Sequence, residues 1–168
     1  LVRVAEKWNG HDDGRIRIDA GIHAEYTSNH LLWEALSAYA EEAGLGMQLH
    51  LAESQDEADS CLDRTGLSQA ELLSCHRLFA VPATAAGCAC MSETDRKILS
   101  KKKVSAVATP IAAAKAGLPT TPILSCVKAG MNVALGTGGA LEAGNLDLFE
   151  VIRGTALAAR AAKQDASA

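Results

Sequence analysis

Residues 47–57 read Met-Gln-Leu-His-Leu-Ala-Glu-Ser-Gln-Asp-Glu, a stretch that joins a strand pattern to a helix start. Met47 to Ala52 is an apolar-rich run of strand length. Ser54, followed three residues later by Glu57, predicts a capping box, in which the two side chains satisfy backbone N–H groups at the first turn of a helix. A strand that leads at once into a capped helix is the repeating unit of folds with a parallel sheet.

The same unit recurs along the chain. Apolar or alternating runs predict five strands, over residues 15–20, 47–52, 84–90, 104–109 and 131–136. Polar cap residues predict the intervening helix starts, namely Ser28, Ser54, Ser68, Ser92 and Asn145, with Pro122 opening a shorter helix. Loops are predicted after the fourth and fifth strands. This alternation predicts an α/β fold with parallel strands in sequential order and right-handed crossovers.

Length and composition agree with one layered domain. The 168 residues are enough for a single α/β domain over residues 1–168, and the polar end, residues 164–168, is predicted to be a frayed tail. Hydrophobic residues make up 48% of the chain but aromatic residues only 4%. An alanine-rich, aromatic-poor core is typical of helices packed closely on a sheet rather than of an antiparallel sandwich.

Charge and cysteine content argue against several classes of protein. The formal net charge is −4, and the only basic run, residues 101–103, is predicted to be the last turn of a helix, so a nucleic-acid partner is not expected. No apolar run is long enough to cross a bilayer, so no membrane association is expected. Five cysteines, an odd number without a C-x-x-C pair, favour reduced thiols and a cytoplasmic location.

His50 and Glu53 are the first candidates for chemistry. Both fall at the C-terminal end of a predicted strand, where parallel α/β folds bind their ligands. A neutral imidazole binds divalent metal ions, and a carboxylate a few residues further on is suited to move protons for a metal-bound water. A histidine shortly before a glutamate is also common in purely structural settings, so the pair alone does not identify a site.

Three segments together resemble the amidohydrolase superfamily, in the branch of guanine deaminase, nucleoside deaminases and chlorohydrolases. Residues 49–54 (LHLAES) resemble its strand-5 signature, residues 21–28 its strand-4 loop, and residues 133–139 (VALGTGG) its strand-8 motif VALGTDG. The match covers about residues 15–160 in order. It implies a partial TIM-type (β/α)8 barrel, about strands 4–8, with the parallel sheet flanked by helices.

The resemblance also implies roles for three residues of this sequence and the loss of two side chains that the family has. His50 corresponds to a metal ligand, Glu53 to a catalytic proton carrier and His23 to a substrate-binding residue. The strand-6 histidine aligns with Gly87 and the strand-8 aspartate with Gly138, which are therefore vacated positions. Glycine has no side chain to coordinate a metal, so the divalent Zn or Fe of the family is expected to be absent or weakly bound here. Side-chain parity predicts that all five residues line one concavity.

Three functions remain open. The chain is either a metal-site-degraded relative of enzymes that hydrolyse C–N bonds, inactive as it stands, or half of an active metal-dependent aminohydrolase completed by a missing N-terminal segment or partner chain. The third alternative is a non-catalytic binding or assembly module. An active enzyme would take a small heterocyclic substrate. Five strands cannot close such a barrel, so a homo-oligomer or a partner chain is expected to cover the open sheet edges.

Overall fold

A computed structural model describes residues 1–167, which form one five-stranded parallel sheet with the strands in sequential order. The strands are β1 (Ala20–Gly21), β2 (Met47–Leu51), β3 (Ala83–Gly87), β4 (Ser105–Ala108) and β5 (Asn132–Leu135). The predicted α/β class and strand order are confirmed. Ala168, the last residue of the predicted frayed tail, lies outside the described residues.

Helices connect and flank these strands. They are α1 (Val2–Trp8), α2 (His11–Gly14), α3 (His30–Ala43), α4 (Gln55–Thr65), α5 (Gln69–Cys75), α6 (Glu93–Lys101), α7 (Pro110–Lys115), α8 (Ile123–Lys128), α9 (Ala140–Ala143) and α10 (Leu148–Lys163), with a 3-10 turn at Glu25–Thr27. The side chains of Ser54, Ser68 and Ser92 accept N–H bonds from the third helical residue, as their spacing predicts. No helix among residues 1–167 is long and apolar enough to cross a membrane.

The first strand differs most from its prediction. Residues 15–20 were predicted to form it, but only Ala20 and Gly21 pair with β2. Ahead of them the Asp19 carboxylate accepts hydrogen bonds from the Gly46 N–H (3.1 Å) and from the Gln48 side-chain amide (2.9 Å). The Asp19 side chain therefore takes the hydrogen bond that a further backbone carbonyl of β1 would accept, and residues 15–19 do not form a strand.

Two helix caps lie further along the chain than predicted. Asn29 caps α3, while Ser28 accepts a hydrogen bond from the indole N–H of Trp33 at 2.7 Å. Asp147 caps α10, while Asn145 accepts from the Asp147 N–H at 2.9 Å. At both helix starts two nearby polar residues could fill the cap position. One of them caps the helix, and the other makes a different local hydrogen bond.

Several loops and boundaries were also predicted incorrectly. The predicted loops after β4 and β5 contain the short helices α7 and α9, which are rich in alanine, the residue with the highest helix propensity. Helix α5 ends at Cys75 rather than near Phe79, and α1 was not predicted. The four-residue α2 contains Asp12 and Asp13 with a φ of +55°, so it is closer to a turn than to a regular helix. Strand β3 ends at Gly87, earlier than predicted, because Gly87 and Cys88 have φ values of +88° and +53° that cannot continue an extended strand.

The sheet has one packed face and one open face. Along β2, Met47, Leu49 and Leu51 are buried, whereas Gln48 and His50 alternate with them and remain at least partly accessible. Because successive side chains of a strand point to opposite faces of the sheet, one set packs into the helical layer and the other lies on the concave face. The open face is where a complete barrel would have its axis.

Candidate functional site

A cavity of about 510 Å³ opens at the C-terminal ends of the strands. Its lining includes His50 in β2 and Gly87 at the end of β3, together with His23, Glu53 and Gly138, which lie in the segments that follow β1, β2 and β5. The structure thus brings together the five residues that the parity argument grouped. Their chemical roles remain predictions.

The orientation of His50 is fixed by the loop that carries His23. The carbonyl oxygen of His23 accepts the backbone N–H of His50 at 2.9 Å and lies 2.9 Å from its ring Nδ1. Because a carbonyl oxygen only accepts, Nδ1 is the donor in this contact. The two imidazole rings lie 4.9 Å apart between centroids. Nε2 is therefore the ring nitrogen of His50 that the His23 carbonyl leaves open to a ligand.

A buried amide holds the turn that carries Glu53. The side-chain oxygen of Gln69 accepts the Ala52 N–H at 2.9 Å, and its nitrogen donates to Glu57 at 2.7 Å. Glu57 in turn accepts the Glu53 N–H at 2.9 Å, rather than completing the predicted capping box with Ser54. Ala52 has a φ of +49°, a conformation that costs energy for any residue except glycine, so these bonds stabilise a strained turn.

The surroundings of Glu53 disfavour its charge. Burial raises the pKa of the Glu53 carboxyl, the imidazoles of His50 and His23 oppose this rise, and the carboxylates of Glu57 and Glu142 add to it. A carboxyl group in this setting is suited to exchange a proton or to form hydrogen bonds with a ligand.

The space beside Gly87 is occupied by Glu53. A β-carbon placed on Gly87 would overlap the Cγ of Glu53, and the positive φ of Gly87 disfavours any side chain. The Thr121 hydroxyl donates to the Gly87 carbonyl and fixes this backbone. The space that a side chain at position 87 would need is therefore already filled by a neighbouring carboxyl side chain.

A carboxylate also adjoins Gly138, which has a φ of +73°. A β-carbon placed there would lie 3.3 Å from Oε2 of Glu142 and 3.3 Å from Cβ of Ala112. The same Oε2 accepts the Gly139 N–H at 2.6 Å. Glu142 follows Gly138 by four residues but was not predicted as a site residue, because the short helix α9 that brings the two together was predicted to be a loop.

The mouth and walls of the cavity are built from α7 and α9. The Lys115 ammonium donates to the Leu141 carbonyl oxygen at 2.9 Å and links the two helices. Alanine dominates the remaining lining, which includes Ala86, Ala89, Ala112, Ala113 and Ala116. The walls are therefore mainly apolar.

The other histidines lie away from this cavity. His30 and His76 have ring centroids 5.5 Å apart, and His76 Nδ1 lies 2.9 Å from Oε1 of Glu34. His11 lies in α2 and stacks near Trp8, with centroids 5.1 Å apart. None of the three lines the cavity of His50.

The residues at the cavity do not suit a metal ion. Among residues 1–167, no group of three or more His, Cys, Asp or Glu side chains is arranged to hold one. A catalytic zinc needs about three protein ligands and one open position. His50 offers one nitrogen, and Gly87 and Gly138 offer no side chain.

Comparison with known proteins identifies the family. The sequence profile of the Amidohydrolase family matches residues 1–167. The chain belongs to this family. Its sequence is 33% identical over 159 residues to the 5-methylthioadenosine/S-adenosylhomocysteine deaminase of Caldanaerobacter subterraneus subsp. tengcongensis, covering 95% of this chain and 37% of that protein. It is 32% identical over 155 residues to the 5'-deoxyadenosine deaminase of Methanosarcina acetivorans, covering 92% of this chain and 36% of that protein.

Solved amidohydrolase structures share the fold. An adenosine deaminase from Xanthomonas campestris with bound zinc superposes with a TM-score of 0.89 and 26% identity, over 99% of this chain and 38% of that one. A guanine deaminase from C. acetobutylicum with bound guanine gives a TM-score of 0.75 and 23% identity, over 82% of this chain and 33% of that one. This similarity shows the fold alone. The chain thus spans less than two fifths of these amidohydrolases, and its five strands form part of a TIM-type barrel.

Proposed function

We propose that this amidohydrolase chain forms part of a deaminase-like pocket that binds a small heterocyclic ligand and, as the chain stands, does not hydrolyse it. The observation that supports the proposal is that two glycines, Gly87 and Gly138, line the cavity. The resemblance to the family predicts a histidine and an aspartate at these positions. Gly87 lies in β3 and Gly138 in the loop after β5, so the proposal does not depend on which other strands join the sheet.

Hydrolysis and binding make different demands on the site. Hydrolysis of a C–N bond in this family relies on a metal-activated water, and the residues at 87 and 138 supply neither a ligand nor a proton acceptor. Binding needs only a shaped cavity with a few polar groups, and about 510 Å³ is within the usual size range of ligand pockets. His50 and Glu53 supply the polar groups.

The names of the relatives suggest the ligand. The similar proteins are deaminases of 5-methylthioadenosine, S-adenosylhomocysteine and 5'-deoxyadenosine. We therefore propose an adenine nucleoside as the ligand class, with its base in the cavity against the alanine walls and its polar edge near His50.

The test combines turnover and binding on the same purified chain. Ammonia release from 5'-methylthioadenosine and adenosine is measured with and without added Zn²⁺, with the Caldanaerobacter deaminase as positive control. Calorimetry measures nucleoside binding to the wild type and to His50→Ala. We expect no turnover in either condition, and binding that His50→Ala weakens about tenfold through loss of one hydrogen bond. Zinc-dependent ammonia release that His50→Ala abolishes would overturn the proposal.

A second candidate is that another chain completes the sheet. Within residues 1–167, β1 and β5 each pair with one neighbour only. In α9 and α10, the helices that follow β5 in the chain, Leu141 is 90% and Phe149 82% exposed, which offers apolar surface to a partner. We propose that a second copy, or a partner carrying further strands, covers this side.

Association is tested by light scattering after size exclusion at micromolar concentration. A dimer or larger species is expected for the wild type, and Phe149→Lys is expected to shift it toward the monomer. Phe79→Leu, a buried and conservative change, serves as the control for general destabilisation. A wild-type monomer with slowly exchanging amides throughout residues 132–135 would contradict this candidate.

A further inference from the structure

Gln69 is a buried polar residue that lies outside the cavity lining. It is the first residue of α5 and is only 3% exposed. Its amide oxygen accepts the Ala52 N–H at 2.9 Å, and its amide nitrogen donates to Oε1 of Glu57 at 2.7 Å. This one side chain therefore ties the residue after β2 to the first turn of α4.

We propose that Gln69 is a positioning residue of the ligand cavity, which holds the Glu53 side chain in the space beside Gly87 without touching the ligand itself. Glu53 and Gly87 both line the cavity. The inference rests on the proposed binding function and deepens it, because it assigns the shape of one cavity wall to a residue behind that wall.

The N–H groups of two consecutive residues, Ala52 and Glu53, are held through Gln69. Gln69 accepts the first directly, and its partner Glu57 accepts the second with Oε2 at 2.9 Å. Ala52 has a left-handed φ of +49°, and the cost of this conformation is of the same order as the cost of a buried N–H without an acceptor. Loss of the Gln69 acceptor would leave a strained backbone and an unpaired N–H together, so we expect the turn to relax and to move Glu53.

The segment after β3 is attached to the same turn. The Ala52 carbonyl oxygen accepts the N–H groups of Ala89 and Cys90, each at 2.9 Å. These residues follow Gly87, and Ala89 lines the cavity together with Gly87. A shift of Ala52 is therefore passed on to the backbone that borders the space filled by Glu53.

The contact between Glu53 and Gly87 reports the position of Glu53 without any ligand. A β-carbon placed on Gly87 would overlap the Cγ of Glu53, so an α-hydrogen of Gly87 lies against the Glu53 side chain. We expect a strong nuclear Overhauser effect between the Gly87 α-hydrogens and the Glu53 γ-hydrogens in the wild type. Gln69→Leu, which removes both hydrogen bonds of the amide, should abolish it.

A paired exchange of the two side chains tests the hydrogen bonds themselves. In Gln69→Glu, one carboxylate oxygen still accepts the Ala52 N–H, but at mildly alkaline pH the other faces the Glu57 carboxylate and repels it. Adding Glu57→Gln supplies a donor from α4, because the new amide nitrogen donates to position 69 while its oxygen accepts the Glu53 N–H. The double variant therefore restores all three bonds, one of them reversed in direction, at the net charge of the wild type.

Calorimetry with 5'-methylthioadenosine measures the effect on binding, and urea unfolding checks that each variant is folded. Gln69→Leu and Gln69→Glu should each weaken binding about tenfold, as loss of one hydrogen bond to the ligand predicts, and the double variant should come within about twofold of the wild type. Ser37→Ala is the matched control, because it also removes a long-range bond from a buried side chain to the backbone, here to the Arg77 carbonyl oxygen at 2.6 Å. It should change neither the binding nor the Overhauser effect.

The outcomes separate this inference from the proposed function. A Gln69→Leu protein that keeps the Overhauser effect, or that keeps wild-type affinity, would overturn the role of Gln69 and leave the pocket intact. So would a double variant that binds no better than Gln69→Glu, or an equal loss of binding in Ser37→Ala. If the wild type does not bind the nucleoside, the proposed function is wrong, and the Overhauser effect alone decides the inference: its loss in Gln69→Leu supports the positioning of Glu53 by Gln69, and its survival overturns it.

Discussion

The ion pair between Glu25 and Arg64 anchors the loop that carries His23 to helix α4. The Glu25 side chain is 2% exposed, and the Arg64 guanidinium donates to its oxygens at 2.8, 3.1 and 3.1 Å. We predict that Arg64→Ala destabilises the fold substantially, because it leaves a buried carboxylate without its bidentate partner. The same change should loosen the His23 loop relative to the helix that follows Glu53.

The size of the effect follows from the exposure of the two partners. Breaking a fully buried ion pair costs roughly 3–5 kcal/mol, whereas exposed pairs contribute about 0.2–1 kcal/mol. Arg64 is 50% exposed, so water solvates part of the pair, and we expect Arg64→Ala to cost about 2 kcal/mol. Adding Glu25→Gln should recover part of that loss, because a neutral amide is cheaper to bury than an unpaired carboxylate.

Urea unfolding at fixed protein concentration measures these free energies, with the Arg77–Glu41 pair as the internal control. That pair has similar contacts, 3.0 and 2.9 Å, but its side chains are 70% and 40% exposed, so Arg77→Ala should cost less than about 1 kcal/mol. Equal costs for the two arginine variants would refute the reasoning. So would a double variant, Arg64→Ala with Glu25→Gln, that is less stable than Arg64→Ala alone.

Three further predictions concern single positions. Gly87→Ala should lower stability by about 1–3 kcal/mol in thermal melts, because alanine is strained at a φ of +88° and its β-carbon would displace Glu53. Exposed Cys75 should react with a thiol reagent in the native protein, whereas Cys88, whose pKa burial raises, should react only after unfolding; equal rates would contradict this. The pKa of Glu53 is raised in the folded state, so the free energy of unfolding falls as pH rises through that pKa and the carboxyl ionises. Glu53→Gln removes this ionisation, and we expect it to be more stable than the wild type at neutral pH but not at acidic pH. Urea titrations at the two pH values measure the difference.

The features that sequence analysis located depend on short-range chemistry. The caps at Ser68 and Ser92 each involve a side chain three residues away, so the sequence alone contains both partners. The end of β2 is equally local, because His50 and Glu53 follow directly from the strand pattern. Parity then places these side chains on the concave face once parallel strands are assumed.

Two features that were not predicted from the sequence depend on contacts between distant segments. Asp19 replaces part of β1 by bonding to Gly46 and Gln48, which are 27 and 29 residues away. Gln69 reaches back 17 residues to the Ala52 N–H, and nothing in its own neighbourhood distinguishes it from an ordinary first-turn residue. Spacing rules do not include such partners, because the partners meet only after the helices pack.

Gly87 and Gly138 illustrate the same limit. The resemblance predicts that they replace two metal ligands of the family, which taken alone would suggest that two substitutions restore those ligands. In the fold, each glycine has a left-handed φ, and the neighbouring space contains Glu53 or Glu142. A histidine at 87 would have to displace Glu53. The β-carbon of an aspartate at 138 would lie 3.3 Å from Oε2 of Glu142, so the two carboxylates would be close together. Because the backbone and the neighbouring residues are adapted to glycine, we predict that placing a histidine at 87 and an aspartate at 138 does not by itself create a metal site.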